Sequence, residues 1–209
     1  MGRTTVRHSV VLAGFVVVLI SGPAWALPIP LTLEERDFSD LGSTGAATTL
    51  LVEPFVYDAT FSGTVYSQVF DLDTGDYLYL YQVDNSGPSI VEKLVVFPFH
   101  GIDEAGLLTA GEPAGFLVGG LAPAGAAYDA AIPEPTVGWD YPSFLGKHIP
   151  AGQHSKVLYL ISPNPWELGE AHVIDGGTGI VEVYVAVPEP ATVCLLGLAA
   201  LGILRRPKR

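Results

Sequence analysis

The sequence predicts an all-β fold: one antiparallel β-sandwich or jelly-roll-like domain over residues 27–187, between short terminal segments of another kind, 1–26 and 188–209. Helical periodicity is almost absent from the middle of the chain. Short runs rich in Val, Tyr, Phe, Ile and Thr recur there instead, cut by Gly, Pro, Asn and Asp, which is how strands and turns are written. A stretch of about 160 residues buries about two-thirds of its unfolded surface, and about eight to ten short strands fit within it. No internal repeat at a fixed period is present.

The first element is a signal peptide. Arg3, Arg7 and His8 precede an apolar run from Val10 to Ile20, which Ser21-Gly22-Pro23 breaks. Ala24-Trp25-Ala26 follows, with the small residues two apart that a signal peptidase pocket admits. Cleavage is expected after Ala26, so that Leu27 starts the mature chain. An N-terminal membrane anchor is the competing reading, but the apolar run is far short of the ~20 residues that span a bilayer.

Thr64 to Phe70 alternates, with Val65 and Val69 on one face and Tyr66 and Phe70 on the other. Asp73-Thr74-Gly75-Asp76 is a turn. Tyr77 to Val83 then places Tyr77, Tyr79, Tyr81 and Val83 opposite Leu78 and Leu80. These two runs predict a hairpin, and Asp84 to Pro88 turns the chain into a strand over Ile90–Phe97. His100 to Pro135, rich in Gly, Ala and Pro, reads as loops with short strands at Gly115–Val118 and Ala126–Ala131. Further strands are expected at Thr136–Tyr141, Lys156–Ser162, Glu170–Ile174 and Ile180–Val187. In Lys156–Ser162, Val157, Tyr159 and Ile161 share a side. In the last strand Val181, Val183, Val185 and Val187 face the core, while Glu182 and Tyr184 face outward.

Charge narrows the partners. The body holds Arg36, Lys93, Lys147 and Lys156 as its only basic residues, against all of the chain's 22 acidic residues except Glu189. Nucleic acid is excluded, because phosphate binding needs clustered Lys and Arg. The only cysteine, Cys194, lies in the tail, so thiol chemistry in the body is excluded and no disulfide holds it.

The tail carries the sharpest signal. Pro188-Glu189-Pro190 continues neither a strand nor a helix and stays extended. Ala191 to Leu204 contains no charge and, as a hydrophobic helix, spans about 21 Å, which a thinned bilayer holds. Arg205, Arg206, Lys208 and Arg209 then form a basic stop that stays cytoplasmic, leaving the body outside. A plain C-terminal anchor is the competing reading. Pro133-Glu134-Pro135 repeats the tripeptide upstream, but no apolar segment or basic stop follows it.

The three parts, Val187-Pro188-Glu189-Pro190-Ala191-Thr192, the Leu/Gly/Ala-rich Leu195 to Leu204 and the closing Arg205-Arg206, together resemble the PEP-CTERM sorting signal of bacteria with a Gram-negative-type envelope. The resemblance implies recognition by an exosortase, a membrane-embedded cysteine peptidase, with cleavage near the Pro-Glu-Pro motif. It implies export, transient residence in the inner membrane, and delivery to the outer surface or an exopolysaccharide-containing matrix. The runs Gly63 to Ser67 and Tyr77 to Asn85, Ile149 to Ser155, and Asp175-Gly176-Gly177 are similar to segments of other cargo of that system, which supports a β-sandwich and names no ligand.

Candidate chemistry in the body is weak. Asp71, Asp73 and Asp76 alternate as calcium ligands do, but the glycine and the twelfth-position acid of an EF-hand loop are missing, and a polar hairpin turn explains them. His100, His148, His154 and His172 lack zinc-motif spacing, and no G-x-S-x-G is present. Trp139, Tyr141 and Trp166 could stack on sugars or fill the core. The expectation is a structural or adhesive protein that is not an enzyme and needs no cofactor. The alternatives are a carbohydrate-binding protein or a polysaccharide hydrolase with two carboxylates in a cleft.

Overall fold

The computed structural model describes residues 28–130 and 134–188. The signal segment with Ala24 and Ala26, the residues Ala131 and Pro133, and the tail from Glu189 through Pro190 and the expected apolar helix to Arg205, Arg206, Lys208 and Arg209 lie outside the described residues.

In chain order the strands are β1 Ile29–Leu31, β2 Glu34–Asp37, β3 Ser43–Ala47, β4 Leu51–Val56, β5 Ser62–Leu72, β6 Tyr77–Asn85, β7 Lys93–Phe97, β8 Glu104–Ala110, β9 Gly125–Asp129, β10 Thr136–Asp140, β11 Gln153–His154, β12 Leu158–Ser162, β13 Trp166–Asp175 and β14 Gly177–Ala186. They form two sheets. A six-stranded sheet runs β1-β9-β10-β7-β13-β14, and an eight-stranded one runs β2-β8-β12-β6-β5-β3, with β11 on β6 and β4 on β5. All pairs are antiparallel except β2 with β8, which makes the second sheet mixed where the sequence predicts a purely antiparallel one.

The main core lies between the sheets. Val65, Val69, Tyr79, Tyr81 and Val83 of one sheet meet Leu94, Val96, Trp139, Val173, Val181 and Val183 of the other. The β5–β6 hairpin has the predicted form, with Gly75 at φ 92 in the turn, a left-handed conformation that favours glycine. Leu78 and Leu80 are as buried as the tyrosines opposite them, because loops cover the outer face of β6. There Leu41, Leu72, Leu108, Phe116, Val157 and Tyr159 pack with them in a second apolar cluster. Alternation sorts side chains between faces but does not say which face meets water, so a strand wet on one side and one buried on both read alike.

Several expectations are corrected. Gly115–Val118 is a turn, and it serves as a lid on the second cluster. Buried Gln82 donates through Nε2 to the Leu117 carbonyl and accepts from the Leu117 N–H, both at 2.8 Å. Within the expected loop region, β8 forms despite its Ala and Gly. At Gly106 a Cβ would collide with the Glu34 carbonyl and the Tyr159 ring, so the small residue admits the parallel strand β2. Strands β1 to β4 were not expected. β4 carries Pro54, which is tolerated because β4 pairs on one side only, with β5. Ile90–Phe97 shortens to β7.

Tyr184 points away from the Val183 side, as alternation requires, but it is buried and not outward in water. The Trp166 ring covers it edge-on at 5.1 Å, and its hydroxyl donates to the Thr49 carbonyl at 3.1 Å. β14 ends the six-stranded sheet with a free edge inside the molecule. The buried groups of that edge are met by side chains of the facing sheet: the Tyr184 N–H donates to Ser67 Oγ at 3.2 Å, and the Tyr184 carbonyl accepts from the Tyr81 hydroxyl at 2.6 Å. Burial pushes the Tyr81 phenol well above its ordinary value, so it remains a donor. Tyr81→Phe is expected to strand that carbonyl and cost about 1–3 kcal/mol, read as a lower urea midpoint at unchanged m.

Candidate functional site

The tail leaves the fold abruptly. β14 ends at Ala186, which pairs with Trp166, the first residue of β13. The Val187 N–H donates to the Pro165 carbonyl at 3.0 Å, and Pro188 is already exposed. No slack chain separates the sheet from the Pro-Glu-Pro segment.

The structure sorts the sequence candidates. Trp139 (0% exposed) and Tyr141 fill the core, so neither can stack on an external sugar, whereas Trp166 is 45% exposed. Asp73 donates its N–H to the Gly42 carbonyl at 3.0 Å, and the Asp76 carboxylate accepts from the Thr74 hydroxyl at 2.8 Å, the bonding of a polar turn. Among the described residues no three metal-ligating side chains gather, at that turn or elsewhere. The histidines have separate surroundings: His154 Nε2 lies 3.2 Å from the Val118 carbonyl, and His172 stacks edge-on against Phe97 at 4.5 Å.

The structure also shows an open groove that the sequence did not disclose. Strand register puts Ile174, Lys93, Asp140 and Gly125 in one row across β13, β7, β10 and β9, on the outer face of the six-stranded sheet. The Lys93 ammonium bridges to Asp140 at 3.1 Å. With Glu92, Pro142 and Phe144, this row lines an open groove of about 550 Å³. Phe144, on a short 3₁₀ turn (Ser143–Leu145), is 85% exposed. The next row, Val95, Gly138 and Ala127, lines a smaller trough of about 160 Å³, floored by small residues in β10 and β9. An exposed ring, an apolar wall and a charged pair in one open groove suit a ligand with both apolar faces and hydroxyl groups. The available signals were slight: Lys93 is one of few basic residues, and Phe144 stands in a Pro/Gly-bounded turn.

Among the described residues no helix is long and apolar enough to cross a membrane. Comparison with curated proteins and with solved structures gives no match. A family model described as the PEP-CTERM protein-sorting motif matches residues 186–209, beginning at the last residue of β14. The chain thus ends in a PEP-CTERM protein-sorting motif, which marks it as an exported exosortase substrate.

Proposed function

We propose that the β body is a non-catalytic component of the cell surface or extracellular matrix, delivered by its tail, which adheres to exopolysaccharide through the outer-sheet groove. The sorting motif at residues 186–209 carries the delivery half of this reading. The groove supports the other half. Phe144 offers a ring to the apolar face of a pyranose, while the Lys93–Asp140 pair and Glu92 offer donors and acceptors to its hydroxyls. The acidic surface disfavours a strongly anionic polymer, so a neutral or weakly charged glycan is the expected ligand.

Titration of the body with polysaccharide from the host matrix tests this. Phe144→Ala is expected to weaken binding about tenfold, the loss of roughly one stacked ring. Equal binding by this variant and the parent would remove the groove from the function.

A hydrolase is the second reading, favoured by the two carboxylates Glu92 and Asp140 in one groove. It predicts new reducing ends on incubation with the same polysaccharide, abolished by Glu92→Gln and by Asp140→Asn. The pairing of Asp140 with Lys93 suits hydrogen bonding to hydroxyls better than proton transfer, and this weighs for adhesion.

A further inference from the structure

We infer that the tail-proximal end of the β body docks on the lipid bilayer surface through Trp166 and Leu168 while the tail is inserted. This rests on the reading of residues 191–204 as the membrane-inserted segment. The last main-chain group fixed by the fold is the Val187 N–H, bonded to the Pro165 carbonyl. Four steps of extended chain, at most about 14 Å, separate Val187 from Ala191, where the uncharged segment begins. The headgroup layer on each side of the hydrocarbon is itself about 5–8 Å thick. The end of β14 is therefore held at the interface, too close for the body to swing clear.

What the fold places there is chemically suited to an interface. Trp166 pairs with Ala186 and is 45% exposed; Leu168, two residues along on the same face, is 50% exposed. Tyr184 braces the indole edge-on, so the ring is presented at little entropic cost. Beside it a recess of about 210 Å³ is lined mainly by Ala46, Ala47, Thr48 and Val69. An indole with an apolar body and a polar N–H is the side chain that settles at the headgroup level. Glu167 and Asp71 flank the patch, so the lipid expected is zwitterionic and not anionic.

The tryptophans make the test clean. The chain has three; Trp25 is replaced by Phe, and Trp139, sealed in the core, is the internal reference. The otherwise unmodified full chain is reconstituted into phosphatidylcholine vesicles brominated near the headgroup end of the acyl chains, and flotation confirms insertion. The expected result is a roughly twofold drop in the Trp166 contribution to emission, absent in Trp166→Phe. Protein that floats with the vesicles but is quenched only by aqueous acrylamide overturns the docking and leaves the tail reading intact. Protein that does not float overturns both.

Discussion

Glu189→Ala is expected to abolish processing: the full-length chain, retaining Arg209, accumulates in the inner membrane, and no shortened form reaches the outer fraction. The effect is all-or-none because the peptidase has little else to recognise. An uncharged apolar segment and a basic stop are parts that any anchored protein has. Glu189 is the only charged group between the end of β14 and Arg205, and it stands between two prolines. The fold adds a constraint of its own. With Val187 tied to Pro165, the peptidase must engage the motif against the end of the sandwich, not on a free tether. Intact mass with cell fractionation reads the outcome. Normal processing of the variant would show that Pro-Glu-Pro is not the determinant and would return the tail to a plain anchor.

The two ends of the six-stranded sheet divide the proposed work. Ile174, in the groove, lies eight residues along β13 from Trp166, roughly 26 Å at strand rise. A body standing on its Trp166 end therefore holds the groove away from the bilayer. Adhesion to polymer and attachment to membrane do not compete for one surface, and loss of the tail leaves the groove intact.

The legible parts of this fold are those with local causes. The β5–β6 hairpin follows from strict alternation on either side of a Gly turn, and β14 from Val181, Val183 and Val185 at alternate positions, although the strand stops one residue short of Val187. The sorting motif is legible for the same reason, since its three parts are contiguous. β8 was missed because its Ala and Gly lower strand propensity, and only the crowding between β2 and Tyr159 explains why they are needed. β2, with the sequence Glu-Glu-Arg-Asp, has no apolar pattern at all. It is held from outside: Arg36 lies 2.7 Å from Glu104, which also accepts the Tyr159 hydroxyl at 2.6 Å. The groove was illegible for a further reason. Its central row takes one residue from each of four strands, brought together by a register that no short window of sequence contains.

Trp139→Ala is expected to cost about 3–5 kcal/mol, a large share of the roughly 5–15 kcal/mol that holds a domain folded. Trp139 is the largest fully buried side chain, on a central strand, between Leu94 on β7 and Ala126 on β9, with the Tyr81 ring at 5.7 Å. Tyr81 cannot fold into the space left, because its hydroxyl is committed to the Tyr184 carbonyl, so the cavity stays open. No disulfide in the body softens the loss. The same substitution at exposed Trp166 gives up one edge-to-face pair, about 0.5–1.5 kcal/mol. Trp139→Phe should fall between the two. The Trp139 indole N–H has no hydrogen-bond partner among the described residues, so removing it recovers part of a desolvation cost while the ring still fills most of the site. Urea unfolding at constant m ranks the three. If Trp139→Ala were no worse than Trp166→Ala, the ring would not be the keystone of the space between the sheets, and the packing of β10 against β6 would have to be redrawn.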